Sequence, residues 1–138
     1  MKIRILATGG TFDKEYDEIK EKLLFRETHI PEMLKRGRNL VDTTLRTTML
    51  IDSLEMTESD RKVILHACEK SPEKRILIIH GTSTMDITAK YLAKKIKNKT
   101  IVITGAMEPY AFGSSDGLFN LGSALAFAQA PHTEYMLQ

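Results

Sequence analysis

Cysteine occurs once among the 138 residues, at Cys68, so the chain can form no internal disulfide and has neither a redox pair nor paired-cysteine metal spacing. A single thiol fits a reducing, cytoplasmic setting. Long apolar runs are missing too. The first, Ile3 to Ala7, meets two glycines after a few residues, too short for a signal-peptide core or a membrane span. Nor is there an excess of charge of one sign, the formal net charge being +2. Lys90, Lys94, Lys95, Lys97 and Lys99 do cluster, but they sit among Ala89, Leu92 and Ile96 at helical spacing. That pattern is the solvated face of a helix rather than a nucleic-acid surface.

Several chemical signatures are absent as well. There is no G-x-G-x-x-G and no G-x-x-x-x-G-K-[ST], which removes the usual phosphate cradles. No G-x-S-x-G elbow appears, and no histidine is paired with a serine nucleophile, which removes the common serine-hydrolase plan. His29, His66 and His132 are too scattered for a metal site, and His80 reads as a structural residue at a strand end. No metal and no cofactor is expected.

What is present is one-domain length, with 42% hydrophobic and 28% charged residues, the balance of a globular chain. Residues 3 to 7, 45 to 51, 75 to 79 and 101 to 103 read as short strands. Between them lie helical patterns. Pro31 suits the first turn of a short helix that Gly37 stops, and Thr57 with Asp60 resembles a capping box ahead of a helix that buries Ile64, Ala67 and Cys68. Met85, Ala89, Leu92 and Ile96 share a third helical face. A fourth helix, from about Asp116 to Gln129, has almost no polar face; such a helix is normally buried all round, and a subunit interface is the expected reason here. Residues 13 to 26 are charged, weakly periodic and expected to form a loop or lid. Alternating strands and helices imply an α/β fold with a largely parallel, right-handed sheet.

In such sheets ligands bind at the carboxyl ends of the strands, and four of those ends carry small hydroxyl and glycine residues: "TGGT", "DS", "HGTST" and "TGA". Each alone is an ordinary turn or helix cap, and Ser83 or Thr84 can cap the helix that follows "HGT". Together they surround a hydroxyl nucleophile with amides and hydroxyls that could hold a small polar substrate.

The blocks "ILATGGTFD", "DSLEMT", "HGTSTMDITAKYL" and "TGAMEPYAFGSSDGLFNL" resemble, in order and over nearly the whole chain, the N-terminal domain of bacterial-type L-asparaginases. The resemblance implies a three-layer sandwich, a largely parallel mixed sheet flanked by helices, with residues 1 to 138 forming one domain that is incomplete at its C-terminal end. It implies an amidohydrolase that converts the side-chain amide of asparagine, or a related small amide, to the acid and ammonia. Thr11 matches the nucleophile, Tyr16 the lid tyrosine and Thr82 the second active-site threonine. Ser53, with Asp52, matches the substrate-carboxylate turn. Gly81 and Ser83 belong to the second-threonine block, and the backbone at Ala106 matches a position near the leaving amide. The implied partners are a small-molecule substrate and further copies of the chain through helix 116 to 129, with no nucleic acid and no membrane.

Two departures matter. Active relatives carry aspartate after "HGT", where this chain has Ser83, which has no charge to pair with a substrate ammonium. The family's lysine lies beyond the segment matching "LFNLGSALAFAQ", after which this chain reads "APHTEYMLQ". Lys14 is the nearest substitute, expected to be an ordinary surface lysine. A catalytically weak or silent amino-acid-binding module, or a purely structural role, are therefore the alternatives to an enzyme.

Overall fold

In chain order the elements are β1 (Lys2–Gly9), β2 (Glu15–Asp17), β3 (Lys22–Leu24), α1 (Ile30–Arg36), β4 (Asp42–Ile51), α2 (Glu58–Lys70), β5 (Arg75–Ile79), α3 (Met85–Lys95), β6 (Thr100–Thr104) and α4 (Gly117–Gln129). They come from a computed structural model, and the residues described are 1–130. The segment "PHTEYMLQ", where the domain was expected to be incomplete, lies outside the described residues, as does His132.

β4, β1, β5 and β6 form one sheet in that order. Every pairing is parallel, with Ile5 opposite both Leu45 and Leu77, and Leu77 opposite Val102. Strands covered on both faces need apolar side chains at successive positions, and Ile76 to Ile79 are all fully buried. One core packs Ile3, Ile5, Leu77, Ile79 and Val102 against α1 and α4; the other packs Leu6, Ile76, Ile78 and Ile101 against α2 and α3. This is the expected three-layer α/β sandwich. The sheet was expected to be mixed, but among the described residues it is wholly parallel; the antiparallel pairing lies in a separate hairpin of β2 and β3, with Tyr16 opposite Leu23.

That hairpin replaces the expected loop over residues 13 to 26. Its strands are too short and too charged to show in a hydrophobic pattern; pairing of charges stabilises it instead. Arg26 bonds Glu15 and Asp17, at 2.5 and 3.0 Å, and the Asp17 carboxylate receives the amides of Ile19 and Lys20 across the turn.

The capping box of α2 is present. Thr57 Oγ1 accepts the Asp60 amide at 3.3 Å, and the Asp60 carboxylate accepts the Thr57 amide at 2.8 Å. Cys68 sits in the second core, where burial pushes its thiol up to about 12, far from any reactive range. α4 is apolar on both sides, but the domain covers only one of them. Leu121, Ala124, Leu125 and Ala128 are buried, but Phe119 is 78% and Phe127 49% exposed, so the helix keeps an open apolar face.

Candidate active site

Because all four strands of the main sheet run the same way, their carboxyl ends deliver "TGGT", "DS", "HGT" and "TGA" to a single edge of the sheet. The turns touch. A Cβ added to Gly10 would lie 2.5 Å from the Cα of Gly81, and one added to Gly81 would lie 2.5 Å from Ser53 Oγ. Only glycine permits that approach, and Gly10 also takes a left-handed φ of 80°. The Gly10 amide donates to Ile51 O at 2.9 Å, and Thr8 Oγ1 donates to Ile79 O at 2.6 Å, tying the β1 exit to both neighbouring strands.

Thr11 opens a 3₁₀ turn, Thr11–Asp13, and remains half-buried while its neighbour Phe12 is fully buried in the first core. Burying a phenylalanine is worth about 1.5–3 kcal/mol, so Phe12 anchors the turn and holds Thr11 at the rim. Asp13 is buried as well. Burial pushes its carboxyl above the ordinary range, opposed by the His29 amide that donates to Oδ1 at 2.9 Å; among the described residues Oδ2 has no hydrogen-bond partner. Neither Phe12 nor Asp13 was singled out from the sequence. The signal, an apolar residue directly after "TGGT", was there for Phe12 only.

Lys14 corrects an expectation. It is not a free surface lysine: its Nζ lies 2.8 Å from Asp52 Oδ2 and 5.7 Å from the centre of the Phe25 ring, and its side chain is 19% exposed. The Lys14 bond holds the Asp52 carboxyl below its usual range, helped by the Leu54 amide on Oδ1. Asp52 thus opens the Ser53–Glu55 turn and fixes Ser53, which is buried.

Ser53 in turn meets the "HGT" turn. Thr84 Oγ1 donates to Ser53 O at 2.9 Å, and the Thr84 amide donates to Ser53 Oγ at 3.3 Å. Thr84 occupies the N-cap of α3 but makes no side-chain cap bond, so the expected cap is a bridge between loops instead. Thr82 and Ser83 are both exposed, and Gly81 is buried.

Behind them lies a buried network. His80 Nδ1 is 2.8 Å from Gly81 O, and because a carbonyl only accepts, Nδ1 carries the proton. Nε2 then accepts from Thr88 Oγ1 at 2.8 Å, and Thr88 Oγ1 receives Arg61 Nε at 3.0 Å. Burial first, and the Arg61 charge after it, hold the imidazole below its ordinary pKa, against the Gly81 bond that favours the charged ring. His80 is therefore the structural residue expected; Thr88 and Arg61, 27 residues apart, could not be paired with it from the sequence.

At the fourth turn Ala106 is buried, and the Asp116 carboxylate receives the amides of Met107 and Glu108 at 3.0 and 3.2 Å. These amides keep Asp116 below the usual carboxylate range. Asn120 Nδ2 closes the turn by donating to Gly105 O at 2.9 Å.

Tyr16 stands apart. It is 51% exposed on the hairpin, and no side-chain hydrogen bond ties it to Thr11 among the described residues. A groove of about 660 Å³ lies elsewhere: it runs along the outer edge of β6 between α3 and α4, lined by residues such as Ala89, Leu92, Ile101 and Phe127. None of Thr11, Ser53, Thr82 or Ser83 lines it. Among the described residues no group of three histidine, cysteine or acidic side chains could hold a metal, and no helix is long and apolar enough to cross a membrane.

The pattern of this chain is found in known proteins. The family model described as "Asparaginase, N-terminal" matches residues 2–137. L-asparaginase 2 of Bacillus subtilis is 30% identical over 146 residues, covering 96% of this chain and 38% of the relative. The 60 kDa lysophospholipase of Homo sapiens is 30% identical over 128 residues, covering 90% of this chain and 22% of the relative. The solved structure of the thermostable L-asparaginase from Thermococcus kodakarensis superposes with a TM-score of 0.82 at 29% identity, over 94% of this chain and 41% of that one. The chain thus spans about two-fifths or less of these relatives' lengths. It belongs to the asparaginase family, matching the N-terminal part that the family model describes.

Proposed function

We propose that the joined strand-end turns form the nucleophile-bearing part of an amidohydrolase site acting on the side-chain amide of L-asparagine or a related small amide. The observation that carries this reading is the placement of Thr11: half-exposed on a turn anchored by Phe12, in the edge where all four hydroxyl- and glycine-rich turns meet. Thr11 Oγ attacks the amide carbon and loses its proton. The tetrahedral oxyanion collapses with protonation and departure of ammonia, leaving an ester on Thr11 that water hydrolyses to the acid and free threonine. Thr82 and Tyr16 assist proton movement, Tyr16 only when the hairpin closes over the site. Ser53, Asp52, Gly81, Ser83 and the backbone at Ala106 hold the substrate.

Ser83 supports a second reading. It is exposed and uncharged where an ammonium would need a carboxylate, and Asp52 is already paired with Lys14. On that reading the chain binds an amino acid without turning it over.

Ammonia release from asparagine and glutamine by the purified chain, with Thr11→Ala alongside, separates the two. The enzymatic reading expects release that the variant lacks. No release, or equal release by the variant, rules it out, and calorimetry with aspartate then tests binding alone.

The open apolar face of α4 supports a homo-oligomer, which light scattering measures; a monomer at all concentrations counts against it. The lone buried thiol of Cys68 is consistent with a cytoplasmic setting.

A further inference from the structure

We propose that Lys14 is a positioning residue for this hydrolysis, a charged clamp that sets the Thr11 turn against the Ser53 turn; the proposal rests on the functional reading above. Lys14 touches both turns at once. Its main-chain amide donates to Thr11 O at 3.1 Å, closing the 3₁₀ turn, while its side-chain ammonium reaches Asp52 Oδ2 at 2.8 Å. No other side-chain hydrogen bond joins residues 11–27 to residues 50–57 among the described residues.

The far end of the clamp is rigid. Asp52 uses its second oxygen on the Leu54 amide at 3.0 Å, and Ser53 is held by the two bonds from Thr84. The near end is held less closely: Phe12 anchors the turn from beneath, while Thr11 and Lys14 themselves are only half-buried. Beyond Lys14 the chain enters a hairpin whose strands are three residues each, with Glu15 and Asp17 both turned to Arg26 and Glu15 also 3.3 Å from His29 Nε2. The Phe25 ring, 5.7 Å from Nζ, shields one side of the ammonium and limits where it can swing. Cutting the side-chain link frees the Thr11 turn to shift relative to the place where a substrate carboxylate would sit. A surface-near ion pair contributes little to stability, whereas a nucleophile displaced by about 1 Å can lose about a hundredfold in rate.

The test compares Lys14→Met, which keeps length and loses charge, with Lys14→Arg, which keeps charge and reach, in the full purified chain acting on asparagine. The clamp predicts that Lys14→Met loses about tenfold to a hundredfold in kcat, keeps KM within about threefold, and melts within a few degrees of the unmodified chain. Lys14→Arg should recover most of the lost kcat. A folded Lys14→Met chain with unchanged kcat, or Lys14→Arg as impaired as Lys14→Met, overturns the proposal.

If the unmodified chain releases no ammonia, the functional reading fails on its own. Hydrogen exchange then judges the clamp: the Asp13 and Lys14 amides, bonded to Gly10 O and Thr11 O, should exchange about tenfold faster in Lys14→Met. Unchanged exchange means that Lys14 does not hold the turn.

Discussion

The two hydroxyl-bearing turns of the candidate site sit side by side yet are held by different forces. The Thr11 turn rests on one buried ring, Phe12, and on the partly exposed Lys14–Asp52 ion pair, whose side chains are 19% and 36% exposed. The Thr82 turn rests on a buried relay from Arg61 through Thr88 and His80 to Gly81 O, in which no bond crosses open solvent. Charge near the surface is soft to salt and acid and contributes little to stability; a buried polar relay is stiff, and each member lost leaves another group unsatisfied. One turn is therefore built to adjust and the other to stay fixed. The adjustable one carries the proposed nucleophile and the hairpin with Tyr16.

The largest effect should come from breaking the fixed side. His80→Ala leaves Gly81 O without its donor and Thr88 Oγ1 without its acceptor, around a new cavity, and should cost about 3 kcal/mol in urea unfolding. A cost no larger than that of Lys14→Met would erase the contrast between the turns.

Acid should separate them next. The folded imidazole of His80 lies below the ordinary 6.5, so between those values the unfolded chain binds the extra proton. Its contribution is complete above pH 6.5 and declines as pH falls through the folded value. Asp52 is also depressed, from 3.8, so the Lys14 clamp is complete above 3.8 and fails only below it. Urea unfolding between pH 7 and pH 4 should show a slope that His80→Asn reduces and Lys14→Met leaves alone. A slope that follows Lys14 instead would reverse the assignment.

The smallest effect concerns Asp13, where the adjustable turn carries a buried carboxyl raised above 3.8 by burial. Here the sign is opposite: the protonated form suits the fold, and stability is lost as pH rises through the folded value. Asp13→Asn keeps the acceptor for the His29 amide and should raise Tm by about 2–4 °C at pH 7, with the gain vanishing below pH 3.8. Calorimetric scans at both pH values check it.

Much of the fold was legible because it follows from local signals. Four short apolar runs mark strands, the Thr57–Asp60 pair marks the start of α2, and glycines mark the strand exits. The site was legible in its hydroxyls for the same reason: strand ends in a parallel sheet must converge. What was not legible depends on contacts across the chain. Lys14 read as a surface residue because its partner is 38 positions away, and Thr84 read as a cap because its actual partner, Ser53, is 31 positions away. The hairpin escaped notice because charge pairing, not apolar alternation, stabilises it. The apolar surplus of α4 was legible, but composition cannot tell which of its phenylalanines point inward.

By itself, then, the sequence determined the alternation of strand and helix, the parallel sheet that follows from it, and the set of small residues at one edge, since these depend on local propensity and the burial of apolar runs. Tertiary structure alone decided which polar groups meet there: that Lys14 reaches Asp52, that Thr84 bridges to Ser53, and that Arg61 and Thr88 stand behind His80. Those pairings are set by register and helix placement, where a shift of one residue would turn each side chain to another face.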